Sequence, residues 1–95
     1  MSIVVRFNPV SLTKAKYDEG VQRVNSELGI SGTEPPEGCD LHVCFGTDGD
    51  LRVSEIWESR EQWEAFGEKL MPILQEVGID PGQPEVYEVH RLEMR

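Results

Sequence analysis

The chain has 95 residues, 18 of them acidic and 9 basic, for a formal net charge of −9 at pH 7. That length allows one domain, residues 1–95, with a modest core. Such an acidic surface repels phosphate backbones and anionic lipid, so nucleic acid and membrane surfaces are not expected partners.

No run reaches the roughly 20 apolar residues of a membrane span. No basic-then-apolar segment opens the chain, so the expectation is a cytoplasmic protein with reduced thiols.

Ile3–Phe7 (IVVRF) is a β-branched run that reads as the first strand, and Asn8-Pro9 ends it. A helix follows from Thr13 or Ser11, with Tyr17, Val21, Val24 and Leu28 on one face, and Gly29-Ile30 closes it. The loop Ser31–Gly38 carries two prolines and two glycines and belongs to no regular element. Cys39–Phe45 (CDLHVCF) is the second strand, on which Cys39 and Cys44 would stand about 16 Å apart, too far for a disulfide. Gly46–Asp50 makes a hairpin turn, with Asp48-Gly49 at the positive-φ positions.

The stretch Leu51–Ile79 is a strand running straight into a helix. Val53, Glu55 and Trp57 point to one side of the strand, and Ser54, Ile56 and Glu58 to the other. Ser59 and Gln62 form an S-x-x-Q capping box. Trp63, Phe66, Leu70, Ile73 and Val77 form an apolar stripe, and Gly78 with Ile79 forms the cap. Pro72 removes one helical donor, so a bend or break is expected near Met71–Pro72. Asp80–Pro84 turns the chain into a fourth strand, Val86–Leu92. The endings Glu27–Ser31 and Glu76–Asp80 correspond closely, each after a strand and a helix, so the order is β-α-β-β-α-β.

Two such units joined by a hairpin, with right-handed crossovers, predict an α+β ferredoxin-like fold. Its antiparallel sheet has the order 4-1-3-2, with both helices on one face. Ile3, Val4 and Val5 put apolar groups on both sides of strand 1, as Val53, Ile56 and Trp57 do on strand 3. The second face therefore calls for a cover, and a second copy packed sheet to sheet is the expected one, giving a homodimer.

The element order and the segment Ser54–Trp63 (SEIWESREQW) resemble the dimeric α/β-barrel proteins, also called antibiotic-biosynthesis-monooxygenase-like. The resemblance implies a dimeric barrel of two ferredoxin-like protomers. It also implies one of several activities: cofactor-independent oxygenation of polycyclic phenols, haem degradation or small-molecule isomerisation. Haem degradation on this fold uses a helix-borne histidine, and neither helix has one, although Asn8 and Trp63 would suit it. Copper carriage on a similar fold uses a C-x-x-C loop, which the spacing of Cys39 and Cys44 does not match. No cofactor is expected.

His42 and His90 are the only histidines, and both fall on expected strands. A two-residue turn at Asp48-Gly49 places His42 opposite Glu55, whereas a longer loop would shift that register. A histidine facing a carboxylate is a candidate general base with its orienting group. The plain alternative is a polar cross-strand pair. Adding His90 would complete a two-histidine, one-carboxylate metal set. Strands 2 and 4 are opposite edges about 14 Å apart, however, so no metal site is expected within one chain.

Trp57, Trp63, Phe66 and Tyr87, with Tyr17, are candidates for lining a pocket that holds a flat aromatic ligand. Their alternative is ordinary hydrophobic core. Two functions follow from the sequence. One is a cofactor-free monooxygenase or isomerase acting on a phenolic or enolisable molecule, with His42 as base, Glu55 as orienter and Tyr17 as hydrogen-bonding partner. The other is a non-catalytic ligand-binding or interaction dimer.

Overall fold

Six elements form over the described residues, 1–30 and 34–95, of a computed structural model. They are β1 (Ile3–Phe7), α1 (Lys14–Leu28), β2 (Cys39–Thr47), β3 (Asp50–Trp57), α2 (Arg60–Val77) and β4 (Glu85–Glu88). Every sheet pairing is antiparallel, and the strand order is β2-β3-β1-β4. This is the ferredoxin-like arrangement the pattern predicts. The first residues of the Ser31–Gly38 loop, 31–33, lie outside the described residues.

Each helix begins where a hydroxyl can take up a free amide. Thr13 Oγ1 accepts from the Lys16 amide at 3.1 Å, and Ser59 Oγ accepts from the Gln62 amide at 3.2 Å. The Gln62 side chain bonds to the Ser59 hydroxyl rather than to its backbone N–H, so the reciprocal half of the expected box is replaced by a side-chain pair. Both helices end on left-handed glycines, Gly29 and Gly78.

Three expectations are corrected. α2 runs unbroken from Arg60 to Val77 through Pro72. Pro72 and Glu68, four residues back, are both exposed, so water can satisfy the carbonyl that loses its helical donor. β4 is only Glu85–Glu88, with one further bond from the Val89 amide to Ser2, because β1 offers no partner beyond that point. His90 therefore lies outside the strand. Of the expected positive-φ pair Asp48-Gly49, only Gly49 takes positive φ, and Asp48 does not. The Asp48 carboxylate instead accepts from the Lys14 amide at 2.9 Å, tying the hairpin tip to the start of α1.

The helix-facing side of the sheet holds the core. Val5 and Trp57 are fully buried, and Ile3, Cys39, Val53 and Leu51 nearly so. Period-2 alternation and the register send Val4, Ile56, Leu41, Val43, Phe45 and Tyr87 to the opposite face. Leu41, Val43, Phe45 and Tyr87 are exposed there.

Beside the hairpin turn, Gly46, at φ 118°, stands where an added Cβ would lie 2.7 Å from the Asp50 carbonyl oxygen. At Gly49, φ 91°, an added Cβ would meet nothing within 4 Å. Gly46→Ala should therefore lose more thermal stability than Gly49→Ala. The expected costs are about 2–3 kcal/mol against about 1 kcal/mol, compared by denaturant unfolding. Equal losses would mean the hairpin shifts without resistance.

Candidate functional site

β2 and β3 pair with His42 directly opposite Glu55, as the two-residue turn requires. Both side chains emerge on the helix-facing side of the sheet. His42 Nδ1 lies 2.6 Å from Glu55 Oε2. Glu55 Oε1 also accepts from the Trp57 indole N–H at 2.9 Å, a neighbour two residues along the same strand face. From above, Tyr17 of α1 reaches down to His42 Nε2 at 2.8 Å, with the two rings stacked 6.2 Å apart. Tyr17, His42, Glu55 and Trp57 thus form one continuous hydrogen-bonded chain.

Its proton arrangement follows from the donors available. Trp57 can only donate, and Glu55, the one buried acidic residue among the described residues, is best placed to accept both bonds as a carboxylate. That puts a proton on His42 Nδ1. In the neutral ring, Nε2 then carries a lone pair and accepts from the Tyr17 hydroxyl. Burial, followed by the neighbouring Cys44, Glu55 and Asp18 groups, pushes the Tyr17 phenol up to about 12, so it stays a donor at neutral pH.

The thiols are poor nucleophiles for the same reason. Burial raises Cys39 to about 12 and raises Cys44 as well. Cys44 sits beside the Tyr17 hydroxyl, a neighbour the sequence reading did not single out. Alternation from His42 would have placed it on that face.

A cavity of about 300 Å³ lies between the sheet and the two helices, and Tyr17, His42 and Glu55 form part of its wall. Tyr17, Val21 and Val24 line it from α1, Phe66, Leu70 and Leu74 from α2, and Phe7, His42, Val53 and Glu55 from the sheet. Gly20 lets α1 pass close to the segment after α2, since an added Cβ there would stand 2.8 Å from Ile79 Cδ1. Lys16 Nζ donates to the Val77 carbonyl at 3.0 Å, and Arg23 pairs with Glu76, so the helices are held to each other across the roof.

Of the five aromatic residues expected to line the pocket, Tyr17 and Phe66 do so. Trp57 is fully enclosed and packs against Phe66, with ring centroids 5.6 Å apart. Trp63, one turn earlier on α2, rests on the core cluster of Ile3, Val5, Cys39 and Trp57. Tyr87 pairs with Val4 and so faces away from the helices, where it is 56% exposed. The expected set mixed residues from both faces of the sheet. His90 is exposed beyond β4, at the edge opposite β2.

Fold and site together describe an α+β protein with an apolar cleft and a short polar relay at one end. No protein-family model matches the chain, and no curated protein does. Solved structures match it over its whole length. One from Deinococcus radiodurans, provisionally named an antibiotic biosynthesis monooxygenase, covers 100% of this chain and 98% of its own, with TM-score 0.60 and 12% identity. SnoaB, a cofactor-independent oxygenase from Streptomyces nogalater, aligns over 96% of this chain and 93% of its own, with TM-score 0.60 and 11% identity. A protein from Shewanella loihica, provisionally named a monooxygenase, aligns over 97% and 99%, with TM-score 0.52 and 22% identity. The chain has the fold of the antibiotic-biosynthesis-monooxygenase-like proteins.

Because the folded-state Tyr17 phenol lies near 12 against the ordinary 10.0, the folded protein holds that proton more tightly than the unfolded chain. Stability should therefore fall as pH rises from about 10 to about 12, and fall less in Tyr17→Phe. Urea midpoints measured across that range check this; parallel curves for the two proteins would remove the effect from Tyr17.

Proposed function

We propose that the protein is a cofactor-independent monooxygenase-like enzyme acting on a phenolic or enolisable small molecule, working as a homodimer in the cytoplasm. One observation carries the reading. The Tyr17–His42–Glu55 chain opens into a cavity of about 300 Å³, at the lower end of the range for small-molecule sites. A filled, dry interior with both histidines satisfied at the subunit boundary would instead have supported the non-catalytic reading.

In this scheme the substrate hydroxyl enters beside Tyr17 and gives its proton to His42 Nε2. Glu55, already bonded to Nδ1, stabilises the imidazolium that forms, as the acid partner does in other histidine-based sites. Tyr17, still protonated, turns its O–H to the new oxyanion. Trp57 keeps Glu55 from swinging away. The electron-rich anion is then the reductant for dioxygen. For a phenol, one oxygen atom becomes a quinone carbonyl. The other leaves as water with the substrate's O–H and C–H hydrogens, so no outside electron source is required. The oxygenase activity named for SnoaB agrees with this chemistry.

Support for the homodimer comes from the open sheet face, where Leu41, Val43, Phe45 and Tyr87 are exposed together. A second copy is the economical cover. The free, unpaired thiols of Cys39 and Cys44 fit a reducing compartment.

His42→Ala should lower turnover of a phenolic substrate by roughly 10²–10⁴-fold, the usual worth of a general base, while leaving the far-ultraviolet dichroism intact. Unchanged turnover in a folded variant would take His42 out of the mechanism. Light scattering checks the assembly separately. The unaltered protein should run as a dimer and Val43→Asp as a folded monomer. A monomeric parent at high concentration would end the sheet-to-sheet model.

A further inference from the structure

The cavity is unusual in what its wall lacks. Among the described lining residues there is no lysine and no arginine, and residues 31–33, Ser-Gly-Thr, carry no charge by sequence. The ionisable groups that do face it are Tyr17, His42, Glu55 and, nearer the loop, Glu34. Asp18 adds a further negative charge close to Tyr17. Most of the remaining wall is apolar, from Phe7, Leu12, Val53, Phe66, Leu70 and Leu74.

An anion entering such a space loses its hydration and meets no cation that could replace it. It also approaches carboxylates, within a molecule whose net charge is −9. Among the described lining residues the polar groups able to take a ligand are few: the Tyr17–His42 bond, which can exchange partners while Glu55 stays held by His42 and Trp57, and one neutral amide, Asn25 on α1. The Tyr17–His42 bond offers room for one hydroxyl and for little else that is polar.

We infer that the cavity admits its ligand uncharged and reads a single acidic hydroxyl, excluding molecules that carry a carboxylate or phosphate. This rests on the reading of the Tyr17–His42 end as the site where the hydroxyl is engaged. Negative charge then appears on the ligand only after its proton has moved to His42, where the imidazolium balances it.

Three matched probes test the inference on the intact protein at pH 7. They are methyl para-hydroxybenzoate, its free acid para-hydroxybenzoate, and methyl benzoate, which lacks the hydroxyl. Binding is followed by heteronuclear NMR, through the His42 ring and the methyl groups of Val21, Val24, Leu70 and Leu74. The hydroxy ester should bind at least about tenfold more tightly than the free acid, the scale of one unpaired buried polar group. It should also bind more tightly than methyl benzoate, and His42→Ala should erase that second preference.

Equal or tighter binding of the free acid would overturn the charge exclusion while leaving the phenol-binding site in place. Equal binding of the hydroxy ester and methyl benzoate would overturn the hydroxyl reading. If none of the three shifts the cavity resonances at millimolar concentration, both the inference and the ligand site it rests on are wrong.

Discussion

A carboxylate buried beneath two helices is the constraint on which this site depends. Glu55 sits on the central strand β3 with only about a tenth of its side chain exposed, between Val53 and Trp57 on the same face. An ionised carboxylate left without donors there would cost several kcal/mol. Two donors prevent that, the indole of Trp57 and the imidazole of His42. Each is fixed by a different rule of sheet geometry. Trp57 is two residues along and must share the face, and His42 is directly opposite across the ladder. Slipping the hairpin by one residue would turn one of these partners to the other side of the sheet. The register is therefore tied to the electrostatics of the site as well as to core packing.

Tyr17 reaches the pair because the start of α1, the turn that carries it, is held from several sides. Asp48, at the tip of the hairpin that carries His42, caps the Lys14 amide at the start of α1. The Leu51 amide bonds to the Leu12 carbonyl nearby, and Lys16 bonds to the end of α2. The element bearing the tyrosine is thus fastened to the element bearing the histidine. A distance of 2.8 Å between their tips follows from that bracing rather than from the two side chains alone.

How much of this could be read from the chain depends on the range over which each feature is decided. Local periodicity and caps gave both helices, because Thr13, Ser59, Gly29 and Gly78 act within a turn of their own position. The His42–Glu55 pair was legible because a two-residue turn leaves one register. The Tyr17 contact was accessible as a candidate but not as a distance, since it depends on how two layers meet. The aromatic set failed for a related reason. Composition identifies Trp57, Trp63 and Tyr87 as large and apolar, yet which layer each enters depends on pairing partners far away in sequence. For Tyr87 that partner is Val4, on a strand that turns it out towards solvent. Pro72 misled because the cost of a lost helical bond depends on whether water can replace the donor, and the exposure of Pro72 and Glu68 is a tertiary fact.

The cavity itself weighs most heavily between a binding role and a merely structural one. If closed and empty, a space of about 300 Å³ would cost on the order of 7 kcal/mol at the usual penalty per unit of void. That is comparable to the whole stability of a small domain. Water entering through the open side lowers the figure, but the wall is largely apolar and gains little from hydration. Larger side chains at Val21 or Val24 on α1 would fill the space, and the helix pattern does not forbid them. The open volume, and the carboxylate relay aimed into it, support the proposed ligand site over a role in packing alone.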